Sequence, residues 1–312
     1  MFQVEQKEVS FMTLSTESIN KIGTVGLVGI GVMGKCMLNQ LQLAGFTVAA
    51  YDPFPAAQEY AKEKGALIMG SPSELAQNAT LIIMSLPAPK NVFEVLNSMV
   101  IALTADHIVV DTSTVDPETS KSGYEIIKGT GAQYIDAPIL GRPSAAGNWL
   151  LPTGGTEEAI DFARPALETF AKQAIRVGDL GTGNAFKLLN QLMFSVINGI
   201  SAEVMALTEV LGVDKKVFYD VVAGSGAATV SGLFKETGRR IAEDKYDEPT
   251  FTIELLCKDA GLGIQMAKDA GVSPLIASFV QSINENAKGK GLAKQDTSSL
   301  AKVFKEYYSK IS

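Results

Sequence analysis

The chain has 312 residues, 46% apolar and 20% charged, an ordinary globular balance with room for two domains. That apolar fraction excludes a disordered chain, and no run approaches about 18 uncharged apolar residues, so no membrane span is expected. The 34 acidic and 27 basic side chains leave a net charge of −7, which repels phosphate backbones and argues against nucleic acid as a partner.

Met1 to Asn20 carries Glu5, Glu8 and Glu17 and no arginine, unlike a signal or transit peptide. Residues 1–22 therefore read as an N-terminal extension, and a cytoplasmic location is expected. From residue 23 the chain alternates strand-like and helical segments. Strands are expected at Thr24–Val28, Thr47–Tyr51, Leu81–Ser85, Ile108–Val110, Tyr134–Ala137 and Ala174–Val177, with a helix over Gly34–Ala44. Apolar strands separated by helices indicate a parallel sheet covered on both faces, an α/β doubly wound Rossmann domain over 23–183.

Past Gly178 the pattern changes. Ala185 to Leu211 is one long helical stretch, followed by helices over Lys215–Val222, Leu233–Asp244, Ile253–Ala270 and Pro274–Asn286. Residues 184–312 thus read as an all-helical C-terminal domain joined through a long interdomain helix. The charge divides likewise: 12 basic and 19 acidic groups lie in 1–183, and 15 of each in 184–312.

Cys36 and Cys257 are too few for a four-ligand zinc site and read as two buried thiols in a reducing compartment. The one histidine, His107, reads as a turn residue before a strand. No metal site is expected, and acid–base chemistry falls to Lys, Asp, Glu, Tyr or water.

The strongest local signal is Gly29-Ile30-Gly31-Val32-Met33-Gly34, a G-x-G-x-x-G between a strand and a helix. Its glycines allow a tight turn, close approach of a pyrophosphate, and helix–strand packing, while the helix N-terminus offers free amides. Asp52, at the end of the second strand, is placed to accept the ribose hydroxyls of NAD and to repel the 2′-phosphate of NADP. No arginine precedes Arg142, so NAD is expected, with NADP the less favoured cofactor.

Three further turns follow strands: Leu86-Pro87 with Asn91, Asp111-Thr112-Ser113-Thr114, and Asp136-Ala137-Pro138-Ile139-Leu140-Gly141-Arg142. A fifth stretch, Gly181-Thr182-Gly183-Asn184-Ala185-Phe186-Lys187, opens the long helix. The ordered set resembles the β-hydroxyacid dehydrogenases, the family of 3-hydroxyisobutyrate dehydrogenase and relative of 6-phosphogluconate dehydrogenase, over about residues 23 to 290. The resemblance implies that Leu86, Pro87, Asn91 and Thr114 line the NAD site. It also implies that Lys258 reaches the cofactor from the helical domain; by itself Lys258 reads as a solvated helix charge.

Lys187 is the catalytic candidate. From the residues alone it is equally a proton carrier beside a cleft or a lysine snorkelling from an amphipathic helix; the resemblance implies general acid/base catalysis. Asn190 and Gln191, at i+3 and i+4, both reach the same face. Where the family reads Asp-Ala-Pro-Val-Ser-Gly-Gly, with the serine and glycines holding the substrate carboxylate, this chain has Leu140, Gly141 and Arg142. Arginine holds carboxylate, sulfonate or phosphate through two parallel hydrogen bonds. The expected reaction is NAD-dependent hydride transfer on a small anionic β-hydroxy acid or its semialdehyde. The alternatives are a catalytically silent NAD-binding scaffold and an NADPH-dependent imine reductase. A homo-oligomer is a family-level expectation.

Overall fold

The computed structural model describes residues 21–225 and 231–309. Of the N-terminal extension only its last two residues fall among them.

Eight strands form one sheet in the order β3-β2-β1-β4-β5-β6-β7-β8. They are β1 (Thr24–Val28), β2 (Thr47–Tyr51), β3 (Leu67–Ile68), β4 (Leu81–Met84), β5 (Ile108–Asp111), β6 (Gln133–Asp136), β7 (Trp149–Gly154) and β8 (Ala171–Gly178). Every pairing is parallel except β6–β7. Successive strand residues serve opposite faces. On one face Leu27, Leu81, Ile83, Val110 and Ile135 pack with Met37, Leu38 and Leu41 of α1 (Val32–Leu43) and with Phe170 of α6 (Glu157–Phe170). On the other face Val28, Ile82, Met84 and Val109 pack with three helices. These are α3 (Pro72–Asn78), α4 (Pro89–Met99) and α5 (Pro117–Ile127); α2 (Pro55–Glu63) follows β2. Full burial of each such Leu, Ile or Val contributes about 1.5–3 kcal/mol.

Two strands escape the sequence reading. β3 has only two residues. β7 contains Pro152, which reads as a breaker; it survives because β7 meets β6 only at Gly154, so no continuous ladder lies on that side. Cys257 is buried as expected, whereas Cys36 is half-buried.

The second half is helical: α7 (Thr182–Val210), α8 (Lys215–Gly224), α9 (Gly232–Ala242), α10 (Ile253–Asp269), α11 (Leu275–Ala287) and α12 (Leu300–Ser309). Their core holds Ala202, Met205, Phe234, Ile241, Ile253, Cys257 and Leu300. The 29 residues of α7 span about 43 Å. Thr182–Glu209 is long and apolar enough, by length and composition, to cross a membrane, although Lys187 and Glu203 interrupt it. Half of that stretch is buried by its neighbours, and it buries Gln191, Ser195, Asn198, Ser201 and Thr208. It is the central helix of the second core.

Candidate active site

The glycine loop is built by close approach. A Cβ on Gly34 would lie 2.0 Å from the Gly29 carbonyl oxygen, so α1 can start beside the turn only with glycine there. At Gly31 a Cβ would meet nothing within 4 Å. Helix α1 has Gly31 as its N-cap, no capping side chain, and no acid in its first turn. Its leading amides, from Val32, Met33 and Gly34, have no side-chain cap, and the positive end of the helix dipole lies behind them. That is a cradle for a pyrophosphate. Val32 is 68% exposed at its lip, while Ile30 is buried below.

Asp52 closes the loop from β2. Its Oδ2 accepts from Ile30 N–H at 2.7 Å and its Oδ1 from Phe54 N–H at 2.9 Å. The carboxylate is 6% exposed and thus has two structural bonds besides any ligand it receives. Asn91, in the first turn of α4, donates to Glu94 at 3.2 Å.

The strand ends are knitted together. Leu86 N–H donates to Ser113 Oγ at 2.9 Å. Asp111 accepts from Ser113 N–H at 2.9 Å and from the Tyr134 hydroxyl at 3.0 Å. Burial pushes the Asp111 carboxyl up to about 6 despite these bonds, and pushes the Tyr134 hydroxyl well above its ordinary value. Asp136 faces Asp111 across the β5–β6 register. It accepts from Gly181 N–H and Asn184 N–H, both at 2.7 Å, and burial pushes it up to about 6. These two bonds cap α7 from a neighbouring strand. Gly183 allows it, since a Cβ there would meet the Asp136 carbonyl at 2.7 Å. Asn184 is fully buried, donating to Ser120 Oγ and accepting from Val115 N–H.

Lys187 lies less than one turn beyond Asn184. Its side chain retains some accessible surface, yet protein atoms surround it densely, and that desolvation holds its ammonium below the usual lysine value. Asp259 opposes the shift and Lys258 adds to it. Among the described residues its Nζ has no hydrogen-bond or ion-pair partner.

Lys258 crosses from α10 to the sheet. Its Nζ donates to the carbonyls of Thr114 (3.0 Å) and Pro87 (3.3 Å). It also lies 2.9 Å from Asp259 Oδ1, a close ionic contact without hydrogen-bond alignment. Asp259 Oδ2 accepts from Gln191 Nε2 at 2.7 Å, and Asn190 Nδ2 lies 3.5 Å from Gln191 Oε1. The structure thus brings Gln191 and Lys258 to Asp259, with Lys187 one turn before Gln191 on the same helix, and Lys258 against the Pro87 and Thr114 turns.

Arg142 makes a second contact between sheet and helices. Its Nη1 donates to Thr250 Oγ1 at 2.7 Å and lies 3.3 Å from Glu236 Oε1 on α9. The loop behind it is fixed. Leu140 pairs with Leu150, the Trp149 indole donates to the Arg142 carbonyl at 2.7 Å, and the Trp149 ring fills the space of a Gly141 side chain.

Sequence reasoning gave no role to Asp259, Glu236 or Tyr134. Only for Asp259 was a signal present: an acid directly after Lys258 in an otherwise apolar helix segment.

Two family models cover nearly the whole described chain. The NAD binding domain of 6-phosphogluconate dehydrogenase matches residues 24–178, and the NAD-binding domain of NADP-dependent 3-hydroxyisobutyrate dehydrogenase matches residues 181–304. The mitochondrial 3-hydroxyisobutyrate dehydrogenase of Mus musculus is 28% identical over 306 residues, 95% of this chain and 91% of its own. The 3-sulfolactaldehyde reductase of Escherichia coli is 29% identical over 285 residues, 89% of this chain and 95% of its own. A solved Mycobacterium tuberculosis 3-hydroxyisobutyrate dehydrogenase with L-serine superposes with a TM-score of 0.81 at 26% identity, covering 90% of this chain and 99% of that one. With an uncapped glycine loop at the sheet edge and a helical second half completing the cleft, the chain belongs to the β-hydroxyacid dehydrogenase family of NAD(P)-dependent oxidoreductases.

Proposed function

We propose that the chain oxidises a small anionic β-hydroxy acid, or reduces the matching semialdehyde, with NAD as cofactor and Lys187 as general acid/base. The observation that carries this reading is Lys187 itself. Among the described residues its amine has no hydrogen-bond partner, it is desolvated, and a second lysine that acts on it reaches the strand-end turns.

When bound, the nicotinamide supplies the hydride acceptor for oxidation or the donor for reduction. The free amides of Val32, Met33 and Gly34 would hold the pyrophosphate, and Asp52 the adenosine ribose. Leu86, Pro87, Asn91 and Thr114 would line the path to the nicotinamide, with Lys258 above it. In oxidation the neutral Lys187 amine takes the hydroxyl proton; in reduction its ammonium returns a proton to the carbonyl oxygen. A lowered pKa makes the neutral amine easier to reach for proton abstraction, while the ammonium form remains the proton donor in reduction.

Arg142, together with Leu140 and Gly141, would hold the substrate's anionic end. Thr250 accepts from Nη1, which also lies 3.3 Å from Glu236, and among the described residues no hydrogen bond uses Nε or Nη2. The two relatives are named for a hydroxyisobutyrate and a sulfolactaldehyde, both small anions. One family model is described as NADP-dependent; for this chain Asp52 and the absence of any arginine before residue 142 favour NAD.

Self-association is part of the same reading. Phe186, Leu189, Met193 and Ile200 are exposed along one uncharged side of α7, and Leu275, Ile276 and Phe279 on α11. So much apolar surface suits a second copy of this chain better than water; light scattering showing a monomer would refute it.

The test is a panel of small hydroxy acids with carboxylate, sulfonate or phosphate ends, followed at the NADH band with NAD and NADP in parallel. Turnover of one anionic class with NAD supports the proposal. Cofactor binding with no turnover on any member favours the silent scaffold.

A further inference from the structure

Asp259 has no part in the mechanism above. It is 4% exposed, and a buried carboxylate is costly unless paired. Gln191 donates to one oxygen, and the Lys258 ammonium stands 2.9 Å from the other, which has no hydrogen-bond partner. Lys187 stands four residues before Gln191 on α7, so the carboxylate that Gln191 holds is brought to the helix face that carries the Lys187 ammonium. The charged groups acting on Lys187 are Asp259 and Lys258, both on α10, and Lys258 also acts on Asp111 at the end of β5. One carboxylate is thus shared between the Lys258 ammonium in contact with it and the face of α7 that bears Lys187.

We propose that Asp259 is a positioning residue for the proton transfer. Tethered by the Gln191 amide and the Lys258 ammonium, its carboxylate governs the charge carried by the Lys187 amine. The proposal rests on the Lys187 reading given above. It also divides the work of two adjacent amides. Gln191 Nε2 is engaged by Asp259 at 2.7 Å, so Gln191 serves the carboxylate, and Asn190, half-buried one residue earlier, is the amide left for substrate. The opposing influences have a clear sign. The Asp259 charge favours the ammonium form of Lys187, and the Lys258 charge disfavours it.

The test reads Lys187 directly, without turnover. The full-length protein is labelled with acetic anhydride across a pH series, and acylation of the Lys187 peptide is followed by mass spectrometry. Asp259→Asn should move the labelling midpoint down by about one pH unit. Lys258→Gln should move it up. The pH profile of kcat/KM should follow in the same directions. Should Asp259→Asn fail to fold, Gln191→Leu, which removes the tether of the carboxylate, decides instead: a moved midpoint supports the proposal. An unmoved midpoint, or two shifts of the same sign, overturns it. If labelling moves as stated while Lys187→Ala keeps full turnover, the charge relation stands and the catalytic reading of Lys187 falls instead.

Discussion

The glycine loop and the surroundings of Lys187 are built in opposite ways. The loop is local: β1, Gly29 to Gly34 and α1 are contiguous, and only Asp52 comes from elsewhere, 18 residues on. The cleft is assembled from afar. Lys258 bonds carbonyls 171 and 144 residues away, and Asp136 caps a helix from 45 residues upstream. A local site is specified by short-range sterics and fails one residue at a time. A dispersed site depends on two domains holding their places, so a single substitution there unsettles several partners.

Replacing Lys187 by alanine should sharpen that contrast most. Loss of the general acid/base lowers kcat by about 10²–10⁴-fold, while NAD affinity, measured by fluorescence titration, stays near the parent value. Unchanged turnover would break the assignment.

The loop's own division is tested by two neighbouring alanines. Gly34→Ala drives a Cβ into a backbone carbonyl and should cost more than about 3 kcal/mol, seen as a lower melting temperature of the cofactor-free protein. Gly31→Ala meets only open space. It should leave that melting temperature almost unchanged and weaken NAD binding by at least about tenfold. Equal effects of the two on melting would contradict the open cradle.

Asp52→Asn removes the charge that opposes a 2′-phosphate. The ratio of kcat/KM for NAD over NADP should fall by about tenfold; an unchanged ratio would move the cofactor choice elsewhere.

The smallest effect is on stability. Asp111 titrates near 6 in the fold against 3.8 for the free group, so the native state holds the extra proton. That contribution is complete below about pH 4 and lost as pH rises through 6. Between pH 7.5 and 5.5 it should add about 1 kcal/mol, about 2 °C in melting temperature, and Asp111→Asn should remove this share of the slope while that of Asp136 remains.

The same contrast explains what the sequence could tell. Alternating strands and helices, and a glycine loop in strand–helix context, are short-range patterns, and the sheet and α1 followed from them. Trp149–Gly154 was missed because Pro152 breaks the strand signal, and its tolerance depends on where β6 stops, a tertiary fact. Lys187 stood open from the residues alone, and the reach of Lys258 to the strand-end turns followed from the resemblance, since by itself it reads as a solvated helix charge. Asp259 was not singled out, because an acid on a helix ordinarily faces water; only the packing of α7 on α10 buries it between two lysines. Arg142 was read from its chemistry, but its partners Glu236 and Thr250 lie about a hundred residues on and carry no local mark.

The cap that Asp136 places on α7 has a mechanical consequence. Two short bonds fix the start of a 29-residue rod to the sheet, while its far end is embedded among helices. Any rocking of the helical half turns about that fastened end, and displacement grows with distance from it. Lys187 lies about 7 Å along a lever of about 43 Å. A tilt of a given angle thus carries the distal turns some six times farther than the Lys187 position, so the halves can part while Lys187 stays almost where the sheet holds it.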